Sequence, residues 1–397
     1  MNIHVPAARH AVAVGGACLG VAAAAVGAYA ARNLTYDRKD RARIAASGVT
    51  EKSVTTPAGA VINYAEGPPN GPPLLLIHGQ QVSWTDYAPV LGPLSADWHV
   101  FAVDCFGHGG SAKDPACYPA RHQGAALRWF IETVIGGPAV VSGHSSGGLL
   151  AVWLAAAAPD LVRAILVEDA PLFATEPDRA PDTFAWRDAF RPMHQYLALS
   201  ETSSPAPSDS GYSVPPMRWT RYWVRHSHLR TLFGDAGWAR LVRDPVERRL
   251  DRDPDGIPRL WWMPPTMNRA FDLSACIQDG TGDYDLRFGE MFYDGTWFDG
   301  FDQAETLARV RVPATLLHTV VHSEDGVLLG AMTDEDARRA AGLMADCVLV
   351  DGIHSGHDIH RDRPAQFVDA ITDLHRRALH AEAGRAEADR AVSRSVR

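Results

Sequence analysis

The 397-residue sequence has few cysteines, no excess of basic residues and no metal-ligand motif. Its five cysteines are scattered and form no C-x-x-C pair, which excludes a disulfide scaffold; a single pair, Cys105 with Cys117, is left open. A net charge of −9 provides no basic surface for nucleic acid. His354, His357 and His360 share one segment, but glycines interrupt it and an H-E-x-x-H helix is absent. The sequence therefore predicts no metal site.

Charge is missing from Ala11–Ala31, a run of 21 residues that is long enough to span a bilayer. Much of the run is Ala and Gly, so its drive to insert is weaker than that of a Leu-rich segment. We expect residues 1–45 to be a membrane anchor with its linker. The alternatives are a signal peptide cleaved near Ala30, with secretion, and an Ala-rich helix that folds onto the protein. Basic residues mostly follow the run, and this positive-inside bias favours a cytoplasmic location for the rest of the chain.

The rest of the composition is that of a globular protein, with 46% hydrophobic and 21% charged residues. Strand-like apolar runs alternate with helical patterns, which is typical of a mostly parallel sheet covered by helices on both faces. We predict a core in two parts, residues 50–171 and 311–380, and a disordered tail at 381–397. Between the two parts, residues 172–310 hold seven of the eleven tryptophans. This interval predicts a helical cap over a bulky apolar ligand.

The most informative motif is the pentapeptide G-H-S-S-G at residues 143–147. A β-branched run precedes it and an apolar helical pattern follows it, which is the context in which G-x-S-x-G carries chemistry. A strand that turns sharply into a helix exposes the side chain at the apex of the turn. The start of the helix places free N–H groups beside that side chain. Ser145 is therefore the predicted nucleophile.

Two earlier strand ends support this interpretation. The apolar run at residues 74–77 ends in H-G-Q, where a backbone N–H is available to an acyl oxygen. We assign one oxyanion donor to the backbone N–H of Gln80. The other donor is the N–H of Ser146, the residue after the nucleophile. Asp104 begins a glycine-rich D-x-x-G-x-G-x-S turn, and we expect this carboxylate to organise the turn without titrating in the reaction.

The chain has a strand ending in His-Gly, then this glycine-rich turn, then the sharp strand-to-helix turn at Ser145, which we call the elbow. In this order of motifs the chain resembles the α/β-hydrolase superfamily. The resemblance implies an α/β-hydrolase fold, a mostly parallel eight-stranded sheet with a helical cap inserted after strand six. It also implies a catalytic histidine in a Gly-His dipeptide before a proline-led helix. His357, followed by Pro364, matches that pattern. His354 and His360 are the alternatives, with His360 better suited to a supporting role.

Two positions compete for the carboxylate that orients this histidine. Many members of the superfamily carry it after strand seven, where Asp325 lies in a loop that is longer than usual. The other position is the end of strand six, where Glu168 and Asp169 precede an Ala-Pro dipeptide. A carboxylate there is adjacent to the elbow strand and can reach the same histidine from another side.

A closer resemblance favours the second position. The strings S-S-G-G-L-L from residue 145, E-D-A-P-L-F from residue 168 and L-L-G-A from residue 328 are similar to those of bacterial zearalenone lactonases. Fungal mycoestrogen lactonases place their acid after strand six in a Glu-x-Pro motif, which Asp169 matches with Asp for Glu. The likeness implies Asp169 as the acid, with Asp325 and Glu168 as alternatives. It does not extend to the cap.

Together these residues predict a serine hydrolase that cleaves a bulky hydrophobic ester or lactone, such as a zearalenone-like macrolactone, through an acyl-enzyme. No metal or other cofactor is required. The alternatives are a general carboxylesterase, another cap-bearing hydrolase that cleaves a carbon–carbon bond, and a non-catalytic protein that binds a hydrophobic ligand. The expected partner is a small hydrophobic ester or lactone, with membrane contact through residues 11–31.

Overall fold

The computed structural model describes residues 23–202, 219–226, 240–253, 256–265, 268–269 and 283–395. In this part of the chain the strands are β1 (Thr50–Thr55), β2 (Val61–Glu66), β3 (Pro73–Ile77), β4 (His99–Val103), β5 (Ala139–His144), β6 (Val162–Glu168), β7 (Ala314–Thr319), β8 (His322–Glu324), β9 (Val327–Leu329) and β10 (Cys347–Ile353).

Eight of these strands form one sheet in the order β1-β2-β4-β3-β5-β6-β7-β10. β2 is antiparallel to both of its neighbours, and every later pair is parallel. The central strands β3 and β5 are almost entirely buried, because helices cover both faces of a parallel sheet. The predicted α/β-hydrolase fold with a mostly parallel eight-stranded sheet is confirmed.

Two layers of helices sandwich the sheet. The first layer consists of Ala120–Phe130, Ser146–Ala157, Gln303–Arg309 and Asp334–Leu343. The second layer consists of Ala88–Asp97, Ile359–Asp362 and Pro364–Ser395. We call Ser146–Ala157 the elbow helix and Pro364–Ser395 the C-terminal helix. Each layer buries its apolar stripe against one face of the strands, and this burial is the main source of stability.

Residues 169–313, which we call the insertion, separate β6 from β7. Its longer described α-helices before residue 303 are Arg191–Thr202, Trp219–His226, Arg240–Arg252 and Leu286–Asp294. Helices therefore follow strand six, as the sequence predicts. The insertion also encloses large aromatic side chains of its own, among them Trp219, Trp297 and Phe288. Parts of the interval predicted to be a cap, including residues 203–218 and 227–239, lie outside the described residues.

The C-terminal helix differs from the expectation for residues 381–397. It continues to Ser395, so residues 381–395 are helical where the sequence pattern predicts disorder. The pattern has no apolar periodicity there, but Ala, Glu and Arg dominate it, and these residues have high helix propensities. An ion pair between Arg163 and Glu382, 3.4 Å long, also joins this part of the helix to β6.

The N-terminal part of the described chain contains two helices, residues 23–34 and Asp37–Ala46. The second packs against Ala88–Asp97. None of the described helices has both the length and the apolar character needed to cross a bilayer. Residues 11–22, the first part of the predicted anchor, lie outside the described residues. Cys105 and Cys117, whose pairing the sequence leaves open, are both free thiols.

Candidate active site

The strand-to-helix elbow holds Ser145 in an uncommon backbone conformation. β5 ends at His144 and the elbow helix begins at Ser146, so Ser145 makes the whole turn with φ 52° and ψ −121°. A non-glycine residue adopts such angles only where the surroundings enforce them. Here the Ser145 N–H donates to the carbonyl of Glu168 (2.9 Å), and the Ser145 carbonyl accepts from the N–H of Gly148 (2.9 Å). The turn exposes the Ser145 side chain to a cavity that this residue lines.

The loop after β3 lies directly against the elbow. A Cβ on Gly79 would lie 2.9 Å from the Cβ of Ser145, so only glycine permits this approach. Gln80, the next residue, lines the same cavity as Ser145, and its side-chain oxygen accepts a hydrogen bond from the Tyr284 hydroxyl (2.8 Å). Ser146 is the first residue of the elbow helix, where a backbone N–H has no acceptor within the helix. The two predicted oxyanion donors therefore lie close to Ser145.

His357 and Asp169 form a hydrogen-bonded pair at this cavity. Nδ1 of His357 lies 2.8 Å from Oδ2 of Asp169. Asp169 directly follows β6, and its N–H donates to the carbonyl of Leu317 on β7 (2.9 Å). His357 lies in the loop after β10, with its side chain 43% exposed. Both residues line the cavity together with Ser145. The structure thus brings together the three residues that the sequence selects from distant segments.

Asp169 has two further partners that sequence reasoning missed. Nδ1 of His318 lies 3.3 Å from Oδ1 of Asp169, and the Thr319 hydroxyl donates to Oδ2 (3.3 Å). Burial opposes the charge on Asp169, but the hydrogen bonds from His318 and His357 hold the pKa of this carboxyl below its usual range. The signal that would have pointed to His318 is a histidine near the end of a fully buried strand beside β6.

The pair also changes the basicity of His357. Packing around the ring opposes protonation, but the hydrogen bond and negative charge of Asp169 raise the pKa of His357 to about 9. His144 lies beside it, with the two ring centroids 4.5 Å apart and Nε2 of His144 3.2 Å from the carbonyl oxygen of His357. Burial lowers the pKa of His144 to about 3, so this ring is neutral and its Nε2–H can donate to that carbonyl.

The two alternative acids, Asp325 and Glu168, lie in other surroundings. Asp325 lies in the exposed two-residue turn between β8 and β9, where both Asp325 (φ 49°) and Gly326 (φ 78°) are left-handed. Glu168 is buried and binds His360, accepting from its backbone N–H (2.7 Å) and lying 2.9 Å from its Nδ1. Among the hydrogen bonds of the described residues, neither alternative reaches His357. Asp169 is the only one of the three candidate acids that does so there.

His360 and Glu168 belong to a buried group of charges, which we call the anchor network, together with Asp86, Arg269 and Arg361. Nε2 of His360 lies 3.2 Å from Oδ2 of Asp86. Arg269 and Arg361 also pair with Asp86. Burial disfavours the charged ring, but the two carboxylates raise the pKa of His360 well above its usual value. Two members of the network, His360 and Arg361, lie in the short helix Ile359–Asp362 that directly follows the loop of His357.

A metal ion does not fit this network. Asp86, His144 and His360 are close enough for their ligand atoms to surround an ion. However, Asp86 already pairs with Arg269 and with Arg361, and two guanidinium groups repel a further cation. The expectation that no metal is required therefore remains consistent with the donor set of the described residues.

Asp104 organises the glycine-rich turn. Its carboxylate accepts hydrogen bonds from the N–H of Trp84 (2.8 Å), the N–H of Gly110 (2.9 Å) and the side-chain amide of Asn63 (2.8 Å). The hydroxyl of Ser111 donates to the Asp104 carbonyl (2.7 Å). These contacts join the glycine-rich turn to β2 and to the segment after β3, as expected for a carboxylate that organises the turn.

The cavity beside Ser145 has a volume of about 560 Å³ and mostly apolar walls. No Lys or Arg is among the described residues that line it. Most of the apolar wall comes from the insertion, and the β8–β9 hairpin adds one side. The large apolar side chains of the wall are Phe184, Trp186, Phe190, Phe292 and Leu329. A volume in this range is typical of a site for a small organic molecule.

Comparisons with known proteins agree with the fold. A family model described as "alpha/beta hydrolase fold" matches residues 72–206. The chain is 35% identical to the 2-(acetamidomethylene)succinate hydrolase of Mesorhizobium japonicum over 108 residues, which is 27% of this chain and 39% of that enzyme. It is 26% identical to the human serine hydrolase-like protein over 167 residues, which is 40% of this chain and 78% of that protein.

Solved structures extend the likeness to nearly the whole chain. The crystal structure of a membrane phospholipase A, a bacterial virulence factor, covers 93% of this chain with a TM-score of 0.54 at 17% identity. This chain covers 99% of that structure. At such identity the likeness shows the fold alone. The sheet order, the strand-to-helix elbow and these matches together show that the chain has the α/β-hydrolase fold.

Proposed function

We propose that the chain is a serine hydrolase of neutral, hydrophobic carboxylic esters or lactones. Ser145 is the nucleophile, His357 the general base and Asp169 the carboxylate that orients it. The observation that carries the proposal is the 2.8 Å hydrogen bond between His357 and Asp169 at the cavity that Ser145 lines. This pair fixes the tautomer in which Nε2 of His357 is free to accept a proton.

The reaction proceeds in two halves. Neutral His357 takes the proton of Ser145 as its oxygen attacks the carbonyl carbon, and the backbone N–H groups of Gln80 and Ser146 bind the oxyanion. Each such donor contributes roughly 3 to 4 kcal/mol to transition-state stabilisation. His357 then gives the proton to the departing alkoxide, which leaves an acyl group on Ser145. Water, deprotonated by His357, hydrolyses this acyl-enzyme and restores the free hydroxyl.

The cavity wall supports a neutral substrate. No Lys or Arg is among its described lining residues, and protonated His357 already pairs with Asp169, so the cavity offers no free cation there to pair with a carboxylate. A succinate derivative, such as the one in the name of the Mesorhizobium relative, would therefore bury charge at a cost of several kcal/mol. Five large apolar side chains instead suit a bulky acyl or alcohol group, over which the insertion acts as a cap. A macrolactone such as zearalenone has that character.

The test is hydrolysis of a matched ester series by the purified full-length protein. We expect turnover of both p-nitrophenyl decanoate and p-nitrophenyl acetate, with the higher kcat/KM for the decanoate. The charged ester of the series, p-nitrophenyl monosuccinate, should be turned over little. Zearalenone is assayed beside them for ring-opened product. Ser145→Ala should remove turnover of all substrates, with unchanged circular dichroism as the control for folding.

Fluorophosphonate labelling separates an enzyme from a ligand-binding protein. A fluorophosphonate should modify Ser145 with one label per chain, and the Ser145→Ala variant should take up none. Turnover that persists in Ser145→Ala contradicts the serine mechanism. A higher kcat/KM for the succinate ester than for the decanoate keeps the mechanism and contradicts the proposed substrate class.

A further inference from the structure

The helix at residues 23–34 exposes apolar side chains over most of its surface. Val26 is 53% exposed and Tyr29 is 42% exposed, and Asn33 is the one residue of this helix that is buried. The residues before it, 11–22, carry no charge in the sequence. Scattered apolar residues are normal on a protein surface, but a helix with apolar residues all round indicates contact with another apolar phase.

A segment of the insertion extends this surface. The Tyr29 hydroxyl donates to the carbonyl of Trp262 (3.1 Å), and the Asn33 amide donates to the carbonyl of Trp261 (2.9 Å). Trp261, which is 50% exposed, therefore lies beside the helix, and Ile257, four residues earlier in the same segment, is 37% exposed. We define the apolar face as the five exposed side chains Val26, Tyr29, Leu34, Ile257 and Trp261.

Cations border the apolar face. Arg32, Arg38 and Lys39 are exposed at the end of the helix and just beyond it. The nearby acids Asp37 and Asp40 already pair with other arginines. Exposed apolar and aromatic side chains with cations at their border are the groups that bind the acyl chains, the interface and the anionic headgroups of a bilayer.

We propose that the apolar face binds the surface of an anionic phospholipid bilayer, with Tyr29 and Trp261 at the interface. This assigns membrane contact to the insertion as well as to the N-terminal run. A second copy of the chain is the other occupant that an apolar face can have. The apolar face contains no acidic residue, so a symmetric contact through it supplies no anion for the bordering cations, whereas anionic headgroups do, which favours lipid. The proposal does not depend on the chemistry at Ser145.

The test uses Trp261 as its own probe. The full chain is mixed with vesicles of phosphatidylcholine and phosphatidylglycerol, with or without brominated phosphatidylcholine, whose bromines quench nearby tryptophans. The difference in fluorescence between wild-type protein and Trp261→Phe gives the contribution of Trp261 to the tryptophan emission. We expect brominated lipid to remove most of that contribution in wild-type protein. The double variant Arg38→Ser/Lys39→Ser should reduce the dependence of the quenching on phosphatidylglycerol.

Trp129→Phe is the matched control. Trp129 lies on the helix Ala120–Phe130, which packs on the sheet face opposite to the layer that supports Asp37–Ala46, so its contribution should not be quenched. If the protein floats with the vesicles while Trp261 stays unquenched, the face does not bind lipid and the proposal is overturned. If Trp261 stays unquenched and analytical ultracentrifugation shows dimers, the lipid proposal is overturned and a second copy of the chain covers the apolar face.

Discussion

The residue pair His357 and Asp169 determines the pH at which the proposed site works. A general base accepts a proton only when it is neutral, and a pKa of about 9 leaves roughly one per cent of His357 neutral at pH 7. We therefore expect kcat/KM to rise about tenfold per pH unit up to pH 9 and to level off above it. The measurement is the pH profile of kcat/KM for an uncharged ester. A profile that is already level at pH 7 contradicts the raised pKa.

Removing the charge of Asp169 should lower the rate without unfolding the protein. In Asp169→Asn the amide cannot hold His357 in the required tautomer, and we expect kcat to fall by about 10⁴-fold. Asp325→Asn is the matched control, because Asp325 is exposed and asparagine tolerates its left-handed backbone. Steady-state kinetics of both variants decide the assignment. A large loss in Asp325→Asn, with Asp169→Asn active, contradicts it.

The sequence identifies these residues to different extents. The elbow can be predicted because its strand, glycines and helix are contiguous in sequence. The prediction of Ser145 therefore needs no information about distant segments. His357 and Asp169 are readable only through their positions after strands. His318 and His144 were missed because their partners lie far away in sequence, at Asp169 and His357. Contacts between distant segments depend on the sheet order, which local patterns do not encode.

Among the elements, the loop after β10 and the short helix Ile359–Asp362 depend on the anchor network. In His360→Gln, Glu168 loses its buried cationic partner, so we expect the free energy of unfolding to fall by about 3 to 5 kcal/mol. His354→Gln is the control, since His354 is exposed in the same loop. Urea denaturation followed by circular dichroism measures both variants. Equal midpoints for His360→Gln and wild type show that the network adds no stability.

The same comparison of sequence and structure applies to the C-terminal helix. Apolar periodicity predicts its first part, where Phe367, Ile371 and Leu374 are buried against the sheet. The later part has no such stripe and is helical through propensity and its pair with Arg163. A rule based on burial alone therefore predicts too short a helix.

Across the whole molecule, Asp86 joins three regions that are far apart in sequence. It pairs with Arg269 of the insertion and with Arg361 beside the loop that carries His357. Arg361 also pairs with Asp40 of the helix Asp37–Ala46. Asp86, directly or through Arg361, thus links the insertion, the N-terminal region and the loop that carries His357. A substitution that displaces one of these three regions should therefore also shift the other two through Asp86 and Arg361.

Arg269→Gln should therefore loosen the insertion while the core stays folded. The buried Asp86 keeps Arg361 and His360, so the core retains compensation for its charge, but the insertion loses its link. We expect faster cleavage of the insertion by trypsin under native conditions and a higher KM for bulky esters, with kcat for p-nitrophenyl acetate little changed. Arg309→Gln is the matched control. Arg309 forms an exposed ion pair with Glu305, with Nη1 3.7 Å from Oε1, and ion pairs on the surface contribute little to stability. Equal cleavage rates for the two variants mean that the insertion is held by its apolar contacts instead.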